Sequence, residues 1–445
     1  MTDADPTIAR AIASLRVSDP DMATDAEGAL EWLTAGEGPA VLTQERLQYF
    51  LWYQLPMKWL TDNAHHCRVA AALAEALDLL GLPRYAAICR CDTTTGVLDA
   101  YRRSNARGKA AFRRADLASG ISPPDVPELR WGAVMGLEEA RALSSAADFL
   151  ELAVAAGEMV PGRPGWKARQ QEMVRAHLAV PRLELGGRSY LDAVGAERLE
   201  DWLSLRCRSR VWQELLTDLA PRLALPTELP PGTADPIPPL RWLLDRLAGG
   251  QALTQTGNLN RAFVQEASTH FGWWDTSLFG PPYREDELFD LCQTHDLAEQ
   301  LKALRRRGKS LTLSPRGRAL LADPEALWRA AARALLPQNP FHAAAGEVTL
   351  AVLAVGATER EDSLDARVQA AIAEQGWRDR RTGAPADDQS IDIARHATTN
   401  LLRALNLTES HGRWPDSTVR LTAVGRATAL EALHDRATGP RSYAR

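Results

Sequence analysis

Two stretches of the chain, about a hundred residues apart, repeat one pattern, and this repeat constrains the fold more than any other feature. The first reads Leu301-Lys302-Ala303-Leu304, a basic turn, then Leu313-Ser314-Pro315-Arg316-Gly317-Arg318-Ala319. The second reads Leu402-Arg403-Ala404-Leu405, a polar turn, then Leu421-Thr422-Ala423-Val424-Gly425-Arg426-Ala427. The shared grammar is L-[KR]-A-L, a variable tip, then L-[ST]-x-x-G-R-A. The two motifs are offset by 101 and 108 residues, so the second tip is expected to be seven residues longer. Length variation belongs at a hairpin tip, where an insertion disturbs no core.

The pattern predicts a helix ending at the first motif, then two short strands joined by a polar turn, Arg306-Arg307-Gly308-Lys309 in the first copy. Ser314 or Thr422 then caps the next helix, and Pro315 takes the first helical position, where a missing N–H costs nothing. Helices followed by such a hairpin describe a winged-helix-like unit. The first unit is expected at 239–340, opening on 239-PLRWLLDRL-247, with further helices near 260–269 and 285–300. The second is expected at 341–445, with a helix at 347–355 and its last helix before the hairpin at 388–405. Asp323-Pro324-Glu325 starts a connecting helix between them.

Six prolines, Pro226, Pro230, Pro231, Pro236, Pro238 and Pro239, fall within fourteen residues. No helix interior or central strand tolerates this, so 226–238 reads as a linker. Residues 1–225 before it read as an α-helical domain of unknown role. Thr43 caps one helix, and Gly81-Leu82-Pro83 closes another over 66–80. Almost nothing there alternates at the strand period. The first 20 or so residues are expected to fray. The fold class is therefore mainly α: an N-terminal all-α domain, then tandem winged-helix-like units with short β-hairpin wings.

The stretches PLRWLLDRL, LTQTGNL and LSPRGRALLADPEALW, with FHAAAGEVTLAVL after them, resemble the C-terminal region of uncharacterised actinobacterial proteins. The LTxTGxL element followed by helices and a wing is also similar to the winged-helix-rich N-terminal region of XPB-type helicases. The resemblance covers a quarter to a half of the chain and implies winged-helix architecture, with no catalytic residue carried over. No helicase motor is present. Gly308-Lys309-Ser310 imitates the end of a phosphate loop, but Ala303 stands where its first Gly is required.

Charge is the guide to function. Net charge is −5, so the chain is not basic throughout, yet 300–322 holds Lys302, Arg305, Arg306, Arg307, Lys309, Arg316 and Arg318 with no acid. Arginines on a wing can reach a phosphate backbone or minor groove. Arg305, Arg306, Arg307, Lys309, Arg316 and Arg318, with Arg403, Arg420 and Arg426 of the second unit, are the nucleic-acid-binding candidates, and duplex DNA is the expected partner. A solvated surface hairpin has the same composition. The preceding helix, 285–299, is acidic and would be repelled by the major groove. A protein–protein adaptor is the alternative, docking through this helix and through Trp-rich surfaces such as Trp273-Trp274, with no nucleic acid bound.

A second acid-free run, 101-YRRSNARGKAAFRRA-115, suits phosphate contact or a helix face paired with acids of the same chain. His65, His66, Cys67, Cys89 and Cys91 have zinc-ligand chemistry at the wrong spacing. Hydrolase, zinc-protease and dinucleotide signatures do not occur, so no catalytic residue, metal or cofactor is nominated. No apolar run reaches the roughly 18 residues of a membrane span. Five scattered cysteines and a polar start are the marks of a cytoplasmic chain. Oligomeric state is not encoded legibly.

Overall fold

The structure, a computed structural model, describes residues 5–441 apart from 60, 357, 380 and 413–415, and leaves out the side chains of 278 and 279. Trp414 and the middle of the second hairpin tip lie outside the described residues, as does the Phe279 side chain. Among the described residues the chain is mainly α, with two small antiparallel sheets. It divides into two compact units, 1–131 with 135–194, and 132–134 with 195–445.

The first unit is helical. It comprises α1 (Pro6–Ser18), α2 (Pro20–Thr34), α3 (Gln44–Tyr49), α4 (Leu55–Lys58), α5 (Asn63–Leu79), α6 (Pro83–Arg90), α7 (Asp92–Arg103), α8 (Asn105–Ser119), α9 (Leu137–Ala155) and α10 (Trp166–Ala179). A π-helical turn, Phe50–Gln54, joins α3 to α4 just before Pro56. The expected fraying of the N-terminus is not seen from Pro6 on. Asp5 caps α1, and Ile8, Ile12 and Leu15 are buried.

The second unit contains α11 (Tyr190–Arg206, from Gly195 on) and α12 (Arg210–Leu223), followed by two copies of one topology. The first copy is α13 (Pro238–Ala248), β1 (Gln251–Ala252), α14 (Arg261–Phe271), α15 (Thr276–Phe279), α16 (Phe289–Gln300), β2 (Leu304–Arg307), β3 (Ser310–Leu313) and α17 (Pro315–Ala322). A connecting helix, α18 (Pro324–Ala334), leads to the second copy. That copy is α19 (Pro340–Val355), β4 (Glu359–Arg360), α20 (Glu361–Glu374), α21 (Asp388–Ala404), β5 (Thr408–His411), β6 (Thr418–Leu421) and α22 (Ala423–Thr438). The sheet orders correspond, β1-β3-β2 and β4-β6-β5. In each, the strand after the first helix pairs with the last strand of the hairpin.

The division at Val194–Gly195 differs from the expected boundary at 226–238. Trp212, Leu215, Leu216, Leu219 and Leu223 form one face of α12 and are buried in the same core as both hairpin copies. The proline-rich segment is a strap on that core: the Thr227 amide donates to Glu431 Oε2 (3.1 Å), and Ile237 is buried. A run of prolines excludes helix interiors and central strands but not packing.

The repeat has a physical cause. The hydroxyls of Ser314 and Thr422 accept from the Gly317 and Gly425 amides (3.0 and 2.9 Å), capping α17 and α22. The Ser314 and Thr422 amides donate to the Ala303 and Leu407 carbonyls (2.8 and 3.0 Å). Each helix start therefore lies against the chain just after the preceding helix. A Cβ at Gly317 or Gly425 would collide with those same carbonyl oxygens, so only glycine fits. Gly317→Ala is expected to destabilise the second unit by about 2–3 kcal/mol, as overpacking against immobile backbone does. A denaturation midpoint that falls at unchanged slope would show it.

The same backbone hydrogen bonds correct the alignment of the first motif. Ala303 corresponds to Leu407, an offset of 104 residues rather than 101. The left-handed residues that end α16 and α21, Lys302 (φ 55) and Asn406 (φ 57), are offset identically. Leu402-Arg403-Ala404-Leu405 thus lies about a turn earlier than its supposed counterpart. The hairpin tips are 308–309 and 412–417, so the second is four residues longer, not seven.

Candidate nucleic-acid interface

In the first hairpin Leu304 lies opposite Leu313, Arg305 opposite Thr312, Arg306 opposite Leu311, and Arg307 opposite Ser310. Directly opposed residues share a face of the sheet. Arg306 is therefore on the face of buried Leu311, and Arg305 and Arg307 are on the other. The Arg306 guanidinium reaches back to the Gly308 carbonyl (3.1 Å) and lies over the turn at Gly257, where a Cβ would come within 2.8 Å of it. Gly308, at φ 58, makes the two-residue tip that presents Lys309. Arg305, Arg306, Arg307, Lys309, Arg316 and Arg318 are all exposed. Arg318 donates to the Leu313 carbonyl (3.0 Å). Among the described residues none of these six has a carboxylate partner.

The second copy differs. Arg403 Nε pairs with Asp290 at 3.1 Å, and its guanidinium lies 5.6 Å from the Phe289 ring centre. Arg420 pairs across the hairpin with Glu409, Nε to Oε2 2.7 Å. Arg426 donates to the Ala354 and Gly356 carbonyls (both 3.1 Å), closing the end of α19. All three have partners within the chain: Arg403 and Arg420 form surface pairs in which each arginine is about half exposed, and Arg426 serves as a helix cap. Moreover α16 and α21, the helices preceding the two hairpins, pack against each other.

The acidic segment before the first hairpin is not a continuous helix. Glu285–Glu287 form a 3-10 turn, and α16 starts at Phe289. Glu285 is buried, accepting from the Leu259 amide (2.6 Å) and contacting His295 Nδ1 (2.5 Å). Glu287 accepts from the Tyr283 amide at 2.8 Å. Glu285 and Glu287 are thus engaged internally, while Asp286, Asp296 and Glu299 of the same segment are exposed. Trp273 and Trp274 pack against the core rather than forming an exposed surface, Trp273 stacking on Phe271 with ring centres 4.5 Å apart. Trp274 Nε1 donates to the Gly280 carbonyl at 2.6 Å.

Burial opposes charge on His295, but the hydrogen bond and charge of Glu285, with Glu299 and Asp296 nearby, hold its pKa above the ordinary 6.5. A raised folded-state pKa contributes stability below the unfolded value and loses it as pH rises through the folded one. The second unit is therefore expected to melt at a lower temperature at pH 8 than at pH 6. His295→Gln should remove that difference.

Sequence reading missed a second buried charge. Glu347, in α19, is paired with Arg206 (Nε 3.0 Å) and Arg436 (Nε 2.6 Å). A lone acid inside the apolar run FHAAAGEVTLAVLAV was the available signal, because a buried carboxylate needs a partner. In the first unit Ser145 Oγ and His177 Nε2 are 3.0 Å apart, a geometry that suggests a nucleophile and base. Burial and Arg182 pull the His177 pKa down to about 4, and the groups against its ring are Arg182 and Phe149. A guanidinium there opposes the imidazolium that a general base must become. The thiol of Cys89 is buried and pushed up to about 12, which removes it from nucleophilic chemistry near neutrality. Among the described residues no group of three or more His, Cys, Asp or Glu could hold a metal ion, and no helix is long and apolar enough to cross a membrane.

Residues 243–326 match the Y4jL N-terminal domain family. The uncharacterised protein y4jL of Sinorhizobium fredii (strain NBRC 101917 / NGR234) is 32% identical over 92 residues, which cover 18% of this chain and 39% of that protein. The chain thus spans about two fifths of the length of the relative it matches. No solved structure matches. The matched family segment runs from α13 into α18 and includes the whole first hairpin. The expected likeness to actinobacterial proteins and XPB-type helicases gains no support from these matches.

Proposed function

We propose that the protein is a DNA-associated regulator that grips the phosphate backbone with the first hairpin. Each copy of the repeat is then a winged helix, and the first carries the working wing. The carrying observation is the contrast between the two hairpins. Arg305, Arg307, Lys309 and Arg316 have no side-chain partner among the described residues, and Arg306 and Arg318 each reach one carbonyl, whereas Arg403 and Arg420 are paired with Asp290 and Glu409 and Arg426 is held by two carbonyls.

Charge on an edge strand also discourages sheets from pairing edge to edge, and β2 is an edge strand. That role does not account for the cations. β5 is the corresponding edge of its sheet, and there one charge, Glu409, balanced by Arg420 of β6, suffices. Unneutralised like charges in one hairpin repel one another, and phosphate is the partner that relieves this. Base reading by α16 or α21 has little support, because the two helices pack together. Contact is thus assigned to backbone and groove width rather than to base edges.

Titrating the full chain with duplex DNA at two salt concentrations tests this reading. Binding that weakens steeply with salt is expected, with a log–log slope near −0.9 per phosphate contacted. No binding at low salt would overturn it and favour a protein partner.

A further inference from the structure

The second acid-free run of the sequence folds as the end of α7 and most of α8, in the first unit. Only Ser104 separates the two helices, and it caps α8 by accepting from the Arg107 amide at 3.2 Å. Tyr101 is buried beneath Gly108, where any Cβ would strike its ring, so the two helices pack closely. Arg102 pairs with Asp99 (3.6 Å), and with Arg103 it lies in the last turn of α7, where cations complement the helix dipole. Those two residues have a structural explanation.

The cations of α8 do not. Arg107, Lys109, Arg113 and Arg114 are exposed, and among the described residues their side chains have no carboxylate partner. Asp116, the acid of this helix nearest Arg113, is turned to Ser122 Oγ at 2.7 Å. At about 100° per residue, Lys109 and Arg113 form one row and Arg107 and Arg114 another. Ala106, Ala110 and Leu117 lie between the rows, all exposed, while Gly108, Ala111 and Ala115 face the core. Like charges four residues apart, as in Lys109 and Arg113, weaken a helix.

We propose that α8 is a second contact for duplex DNA, on a different unit from the first hairpin. Two cation rows flanking a narrow stripe of two alanines and one leucine fit a helix laid along a major groove. A helix about 10–12 Å across enters a groove about 12 Å wide, the small residues allow close approach, and each row reaches one phosphate backbone. An anionic membrane is the competing polyanion. An interfacial helix needs a broad apolar face toward the lipid, whereas the exposed stripe here is two alanines and one leucine.

The test is a quadruple variant of the full chain, Arg107→Ala, Lys109→Ala, Arg113→Ala and Arg114→Ala, titrated with duplex DNA across a salt series. The salt slope is expected to shrink by about three to four, near 0.9 for each phosphate that is no longer neutralised. The same reduction is expected when the four changes are made on top of alanines at Arg305, Arg306 and Arg307, which separates this site from the hairpin. The melting temperature should hold or rise, since alanine favours helix and the repulsion is gone. A variant that melts lower is replaced by the four-glutamine version, which keeps side-chain length. An unchanged slope and affinity would overturn the proposal. So would loss of binding to phosphatidylserine vesicles with DNA binding intact.

Discussion

Alanine at Arg305, Arg306 and Arg307 together is expected to cut affinity for duplex DNA about a hundredfold or more at low salt, since charge-assisted hydrogen bonds contribute roughly 1.5–3 kcal/mol each. The salt slope should fall by about three. The effect should be the same on every duplex sequence, because phosphate contacts carry no base information. Folding should be unaffected: the three side chains are exposed and, among the described residues, none forms an ion pair. The corresponding change on the other hairpin, Arg420→Ala, removes only a surface pair with Glu409 and leaves DNA affinity nearly unchanged.

The largest expected effect on stability is at Glu347. Its carboxylate is buried in α19 between Arg206 of α11 and Arg436 of α22, and the Arg206 guanidinium lies 3.9 Å from the Trp202 ring centre. Glu347→Gln keeps the volume but leaves Arg206 buried without its counter-charge. Breaking a buried pair in this way costs about 3–5 kcal/mol, and the loss is expected in the denaturation midpoint of the second unit. Replacing the acid and base together, Glu347→Leu with Arg206→Met, should recover much of that stability, because a well-packed apolar pair is often neutral against a buried ion pair. If the single and double variants were equally unstable, packing rather than charge would be the cause.

Much of the fold was legible because its signals are local. An N-cap hydroxyl, a proline at the first helical position and a glycine three residues after the cap specify a helix start wherever they occur; Ser314–Gly317 shows all three, and Thr422–Gly425 the hydroxyl and the glycine. The first motif aligns wrongly by sequence because Leu402, Leu405 and Leu407 supply several apolar registers. Only the left-handed Lys302 and Asn406 and the carbonyls of Ala303 and Leu407 fix the correct one. The proline run reads as a linker by sequence and packs on the core in the fold, because its composition looks the same in a linker and in a packed strap.

The candidate site was half legible. Residue type identified every cation, but whether a cation is available depends on what folding brings beside it. Arg403 meets Asp290 across 113 positions, and Arg426 meets the carbonyl of Ala354 across 72. No local pattern announces either encounter. The first hairpin needed no such knowledge, since Arg305, Arg307 and Lys309 are exposed there without an acid of the described fold beside them.

Photo-cross-linking to duplex DNA from position 307, compared with position 420, decides whether the first hairpin is the one that grips the backbone. A cross-link from 307 that fades as salt rises is expected, with little or none from 420. Equal cross-linking from both hairpins, or a cross-link from 420 alone, would contradict that assignment.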